Sequence, residues 1–256
     1  MKPVLAVVCA HADDAELNAG GTMAKWVAQG GEVVQVMATN NCSGYLIPED
    51  GDESRRKLFP PAETAAVRRR EQAAAAKRLG AKVVELGYWQ RHYWNGSRVV
   101  DAGYGGDPLY PYGLEEKFCI VIAANEAAEV SRLADLLASI RPAQVLTQTP
   151  ADIDPEHHAV ATLVWQAMMD KRLGGVPLRF WTPSSGSPGG LFDPGYDHLE
   201  DITGFLDEKI ALCACHASQM TASRWKAVRG RAAYFGARIG VAAVEPFRTA
   251  HWDLML

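Results

Sequence analysis

The segment Val4-Leu5-Ala6-Val7-Val8-Cys9-Ala10 is uninterrupted apolar chain, rich in valine, and it stops at His11-Ala12-Asp13-Asp14. Such a run, lacking polar alternation, reads as a strand buried on both faces, which requires helices on either side of a parallel sheet. It ends in one imidazole and two adjacent carboxylates, three polar groups that are costly to bury. In open α/β sheets, ligands bind outside the carboxyl ends of the strands. The first strand-to-helix turn is therefore where chemistry is expected, with Gly20-Gly21, Thr22 and the helical run Met23-Ala24-Lys25-Trp26-Val27 following it.

The rest of the chain continues the alternation. Strands are predicted over 32–39, 82–86, 144–149 and 178–181. Helices are predicted from Pro60-Pro61 to Leu79, stopped by Gly80, then over 125–140, from the polar turn 150–158 to about Leu173, and over 203–218 and 222–237. Residues 40–59 and 182–196 read as loops, the second rich in Pro, Gly and Ser. Residues 87–114 gather Tyr88, Trp89, His92, Tyr93, Trp94, Tyr104, Tyr110 and Tyr112 among glycines and prolines. That stretch fits a packed surface loop or one wall of a sugar site equally well. The order predicts an α/β, Rossmann-like, mostly parallel sheet flanked by helices, read as one domain over 1–256.

A net charge of -4 speaks against a nucleic-acid surface. The basic clusters Arg55-Arg56-Lys57 and Arg68-Arg69-Arg70 read mostly as solvated surface. No apolar stretch approaches the ~18 residues of a membrane span, and the expectation is a cytoplasmic protein. Five cysteines without a CxxC pair indicate free thiols rather than disulfides or a cysteine zinc site.

The first strand end offers His11, Asp13 and Asp14; the fourth offers Asp152, Asp154, Glu156, His157 and His158. Parallel strands bring these ends to one edge. Two imidazoles and one carboxylate can make a three-ligand catalytic metal site, and a further carboxylate can act as general base. On spacing alone, the same residues serve as helix caps and turn formers just as readily.

The segment AHADDAELNAGGTMAKW (Ala10 to Trp26) resembles the signature of the LmbE/PIG-L family of zinc-dependent N-acetyl-sugar deacetylases, AHPDDAELGCGGTLAK. Arg68-Arg69-Arg70-Glu71 with Leu79-Gly80 resembles that family's R-x-x-E…LG helix, and DIDPEHHAV (Asp152 to Val160) its D-x-H-P-D-H-x-A-V segment. Lys209-Ile210-Ala211 with His216-Ala217-Ser218-Gln219 resembles its K-x-x-A…H-x-SQ helix, and GVAAVEPF (Gly240 to Phe247) more loosely its G-x-x-x-A-E-x-F segment. The resemblance implies His11, Asp14 and His157 as metal ligands, Asp13 as general base and Arg68 as a substrate contact. It implies Zn2+, with Fe2+ or another divalent ion able to use the same donors. It also implies an amino-sugar substrate, an N-acetylglucosamine conjugate among the candidates, and assembly into a homo-oligomer, trimer or hexamer.

Three departures stand out. Ala12 replaces a proline, Glu156 an aspartate, and Asp154 a histidine credited with helping the oxyanion or leaving group. An ionised Asp154 would repel a developing oxyanion, so it serves catalysis only if protonated. Asn40 or Asn41, at the end of the second strand, and His92 are candidate substrate contacts. Glu16, His216, His198 and His251 read as structural or surface residues, and His158 as either a support for the site or surface. A metal-dependent hydrolase or hydratase with a different substrate is the adjacent reading; a non-catalytic zinc protein or nucleotide-binding module is the remote one. Against the last, the first turn has no G-x-G-x-x-G, and its two carboxylates would repel a pyrophosphate.

Overall fold

The computed structural model describes residues 2–101, 119–181 and 195–250. Its order is β1 Val4–Cys9, α1 Asp14–Ala28, β2 Glu32–Thr39, β3 Tyr45–Leu46, β4 Lys57–Leu58, α2 Pro61–Leu79, β5 Lys82–Tyr88, β6 His92–Trp94 and β7 Val99–Asp101. It continues with α3 Ile120–Ala123, α4 Ala127–Ile140, β8 Gln144–Gln148, α5 Pro155–Met168, β9 Leu178–Trp181, β10 His198–Asp201, α6 Leu206–Ala214, α7 Ala222–Ile239 and β11 Val244–Thr249. Seven strands form the central sheet in the order β10-β11-β9-β8-β1-β2-β5. The five from β9 to β5 run parallel, whereas β11 is antiparallel to both of its neighbours.

The valine-rich β1 is sandwiched as its composition demands. Ala6 and Val8 face the layer of α4 and α5, with Leu133, Leu137, Leu163 and Val164. Leu5, Val7 and Cys9 face the layer of α1 and α6, with Met23, Leu146 and Leu212. Full burial of each such Val or Leu contributes about 1.5–3 kcal/mol, so β1 is fixed in register from both sides. That register places Ala10 and His11 at the carboxyl edge of the sheet, next to the ends of β2 and β8.

Several boundaries differ from the expectation. Helix α1 begins at Asp14, so Gly20 and Gly21 lie inside it rather than in a turn. They serve packing. A Cβ on Gly21 would sit 2.6 Å from Cδ1 of fully buried Ile202, so only glycine lets the two segments approach. The helix read over 203–218 breaks into a 3-10 turn at Thr203–Phe205, α6, and a second 3-10 turn at Ala217–Gln219 that begins after His216. The helix after the 150–158 turn stops at Met168, short of Leu173. The loop over 40–59 carries the β3–β4 hairpin. Strands β10 and β11 were not anticipated. Much of the aromatic stretch, including Tyr104, Tyr110 and Tyr112, and most of the 182–196 loop lie outside the described residues. Within the described part, Trp89 and Tyr93 are buried edge-to-face with ring centroids 5.7 Å apart, beside Cys42 and Cys119. All five cysteines are free. No helix among the described residues is long and apolar enough to cross a membrane.

Candidate functional site

The turn from β1 into α1 has an uncommon backbone. Asp13 sits at φ 111°, in left-handed territory that disfavours any side chain other than glycine's. Such strain persists only where surroundings hold it, and here two braces are visible. Asn41, itself at φ 56°, accepts a hydrogen bond from the Ala12 amide at 2.7 Å. The buried Arg68 guanidinium on α2 donates to the Ala12 carbonyl and to Asp13 Oδ1, the latter at 3.1 Å. The turn closes with the His11 amide donating to Asp14 Oδ2 at 2.8 Å.

Opposite stands the start of α5. Asp154 caps it, its Oδ1 accepting from the amides of Glu156 at 2.8 Å and His157 at 3.4 Å. His157 thereby projects from the first turn toward His11. Its Nδ1 lies 3.0 Å from Asp152 Oδ2, which leaves Nε2 facing the site. On the other side, His11 Nε2 lies 2.5 Å from Glu156 Oε2, which leaves Nδ1 facing inward. Glu156 also accepts from Gln90 Nε2 at 3.1 Å and from the Arg91 amide.

The three inward groups have the spacing of a metal site. His11 Nδ1 and His157 Nε2 are 3.2 Å apart, His157 Nε2 and Asp14 Oδ1 3.4 Å, and His11 Nδ1 and Asp14 Oδ2 3.5 Å. One ligand atom from each of the three residues lies within 4.8 Å of the others, close enough for the group to hold a divalent cation. They form the one such His/Asp cluster found among the described residues. Each imidazole's outer nitrogen is held by a carboxylate, the arrangement that orients metal-binding histidines. The electrostatics agree. Burial opposes charge on His11, but the Asp14 and Glu156 carboxylates overrule it and raise its pKa to about 10. Burial pushes Glu156 up, yet His11, Gln90 and the Arg91 amide hold it down at about 2. The site therefore attracts positive charge, and a dication binding there must expel protons.

These groups line a cavity of about 820 Å³. Asp13 faces it beside the donors, with Arg68 on Oδ1 and Arg224 of α7 on Oδ2 at 2.8 Å. Asp154 and Arg68 also line it, whereas Asn41 and His92 are not among its described lining residues. Asn41, read as a substrate contact, has its side chain committed to the turn: its Nδ2 donates to the Thr39 carbonyl at 3.3 Å, while its Oδ1 holds Ala12. His92 lies on the β6–β7 hairpin. Exposed His158 bonds through Nδ1 to the Pro150 carbonyl at 2.8 Å. Glu16 and His216 are fully buried and face each other at 3.3 Å beneath the site, without hydrogen-bond alignment. Glu71 of α2 accepts from the Ser218 amide and hydroxyl, both at 2.7 Å, and so anchors the turn that precedes α7.

Sequence reasoning passed over Gln148, Gln90 and Arg224. Gln148 ends β8 on the active edge and donates to Asp14 Oδ2 at 3.1 Å, a position that the strand-end argument could have flagged. Arg224 has no such signal, being one arginine of several on an exposed helix. Asp154→Asn should retain metal and melt close to wild type, because an asparagine caps a helix about as well as an aspartate. Metal content checks this, and a loss would make Asp154 a ligand.

Known proteins share stretches of this sequence and its fold. The model of the family described as "PIG-L: GlcNAc-PI de-N-acetylase" matches residues 6–168, which include His11, Asp13, Asp14, Arg68 and His157. A 1D-myo-inositol 2-acetamido-2-deoxy-alpha-D-glucopyranoside deacetylase from Mycolicibacterium vanbaalenii is 29% identical, over 86% of this chain and 81% of that protein. Among solved structures, the fold resembles GalB, the 4-carboxy-2-hydroxymuconate hydratase of Pseudomonas putida KT2440, at TM-score 0.70 and 22% identity, covering 98% and 97% of the two chains. It equally resembles the N,N'-diacetylchitobiose deacetylase of Pyrococcus horikoshii, at TM-score 0.67 and 20% identity, covering 96% and 83%. With more than half of its length matched, the donor segments included, this chain belongs to the PIG-L family and is an enzyme of the deacetylase type.

Proposed function

We propose that this protein hydrolyses the N-acetyl amide of an amino sugar or amino-sugar conjugate, using a zinc ion held by His11, Asp14 and His157. The observation that carries the reading is the convergence of those three donors, with the carboxylate of Asp13 on the wall of the same cavity. The curated relative named above is a deacetylase of a glucosamine–inositol conjugate, and the family description names a de-N-acetylase. Zinc in such a site lowers the pKa of water to about 7 and polarises a carbonyl.

The chain's own groups would supply the rest. Asp13 accepts the proton of the attacking water and returns it to the departing amine, so that acetate and the free amino sugar leave. Arg68, buried beneath it, fixes the carboxylate's direction through Oδ1 and holds the strained turn through the Ala12 carbonyl. Asp152 and Glu156 fix the imidazole rotamers, so the donors are aligned before substrate arrives. Asp154 is engaged as a helix cap and takes no proton-transfer role in this scheme.

The test is metal content with activity. Purified protein should hold about one equivalent of divalent metal, His157→Ala should lose it, and a chelator should stop acetate release from N-acetylglucosamine conjugates. Stoichiometric metal with no acetate released from any N-acetyl sugar would sink the deacetylase reading and move the reaction to another substrate.

A further inference from the structure

Asp13 faces the cavity with both carboxylate oxygens engaged, and its two partners are held very differently. Arg68 reaches Oδ1 from a buried position on α2. Arg224 reaches Oδ2 at 2.8 Å with 40% of its side chain exposed. An arginine that open to water holds an ion pair weakly, because its long side chain must give up rotamers to stay in place. A second acceptor fixes it. The same Nη1 donates to the Gln219 carbonyl at 3.2 Å, and the Arg224 amide donates to Thr221 Oγ1 at 3.1 Å. The direction of the guanidinium therefore follows the position of the Ala217–Gln219 turn.

Two helices pin that turn. Ser218 donates to Glu71 of α2 through its amide and its hydroxyl, both at 2.7 Å. His216, just before the turn, lies 3.3 Å from Glu16 of α1, both fully buried. Glu71 stands three residues beyond Arg68, on the same face of α2. One helix thus carries both arms that bracket Asp13. Arg68 acts directly; Glu71 acts by way of Ser218, the Gln219 carbonyl and Arg224. A carboxylate offers about four acceptor positions, so two arginine contacts fix its plane and still leave it able to take a proton.

We infer that Glu71 and Ser218 are positioning residues for Asp13, acting through Gln219 and Arg224. The segments Arg68-Arg69-Arg70-Glu71 and His216-Ala217-Ser218-Gln219 are then two halves of one clamp on the general base. The kinetic side of this rests on the deacetylase reading above.

Acetate release from N-acetylglucosamine and its methyl glycoside by metal-loaded protein tests the clamp. Arg224→Gln should lower kcat by about 10–100-fold, the scale of a misaligned catalytic group, with KM within about twofold and metal content unchanged. Glu71→Ala should lower kcat by about 3–10-fold, the range of a lost hydrogen bond. The deciding readout is coupling. In the Arg224→Gln background, Glu71→Ala should change kcat no further, because the path it acts through is already cut. If Glu71→Ala does not fold, Ser218→Ala, which removes only the hydroxyl bond, takes its place in the cycle.

Effects that multiply in the double variant overturn the clamp and make Glu71 a prop of the fold alone. A raised KM at unchanged kcat in Glu71→Ala also overturns it. The turn would then serve the cavity wall through the Tyr45 carbonyl and Ile47 amide that it holds. Should the wild type release no acetate from either probe, the deacetylase reading has failed for them and crystal structures decide the clamp. Arg224 on Asp13 Oδ2 in the wild type and displaced in Glu71→Ala or Ser218→Ala keeps it; the same contact in wild type and variants overturns it.

Discussion

Asp13→Asn should cut kcat by about 10²–10⁴-fold while the metal content stays at the wild-type level. The reason is the division of labour along three residues. His11 and Asp14 turn a nitrogen and a carboxylate into the donor cluster, whereas Asp13, between them and at φ 111°, directs its carboxylate to Arg68 and Arg224 on the cavity wall. Asparagine preserves shape and removes the proton acceptor. It also removes the charge that faces the buried Arg68, so the variant should melt below wild type while still folding; a thermal scan separates that effect from the loss of turnover. Metal analysis and acetate release read the rest. A variant that loses its metal would show Asp13 to be a ligand, and one with unchanged kcat would remove it from proton transfer.

The second large effect lies away from the cavity. Glu245→Ala should destabilise the fold by about 3–5 kcal/mol, the cost of leaving a buried charge without its partner. Glu245 on β11 is 2% exposed and accepts from the Gly21 amide at 3.0 Å, the Thr22 amide at 2.7 Å, the Thr22 hydroxyl at 2.6 Å and Lys209 Nζ at 2.5 Å. Alanine strands Lys209, itself 2% exposed, which would keep only the Leu17 carbonyl at 2.7 Å. For a chain of this size the loss corresponds to a fall in Tm of roughly 6–20 °C. Adding Lys209→Met should restore part of it, because the pair is then replaced rather than broken. A double variant no more stable than Glu245→Ala alone would mean that the ion pair is not the source.

These two sites also mark how far the sequence could be read. The strands β1, β2, β8 and β9 announce themselves as apolar runs because hydrophobic layers cover both faces of the sheet there. The edge strand β10, His198-Leu199-Glu200-Asp201, has one apolar residue in four, and Glu200 pairs with Lys25 and His198. In β11 the interior positions include Glu245 and Pro246, so the period of two is broken by a residue that is buried because it is charged and partnered. The carboxyl-edge argument did collect His11, Asp13, Asp14 and His157, since strand ends are legible and parallel strands share an edge. It offers Asn41 as a substrate contact, whereas in the structure that side chain bonds to the backbone of the turn, because the use of a polar residue at an edge depends on the turn's dihedrals. One member of the basic clusters is buried, and another, exposed, lies at the cavity. Arg68 is buried against Asp13 and Arg56 lines the cavity, placements set by α2 and by the β3–β4 hairpin rather than by local charge.

The position of β11 bears on how the protein is made. Residues 244–249 lie between β9 and β10, so a strand made after both of its neighbours belongs in the interior of the sheet. Until it emerges, β9 presents an open edge and Lys209 has no counter-charge. A nascent chain in that condition is a template for pairing with other chains and a client for holdase chaperones. Closure of the sheet thus waits for a strand made after its neighbours, and yield in a heterologous host should depend on chaperone supply.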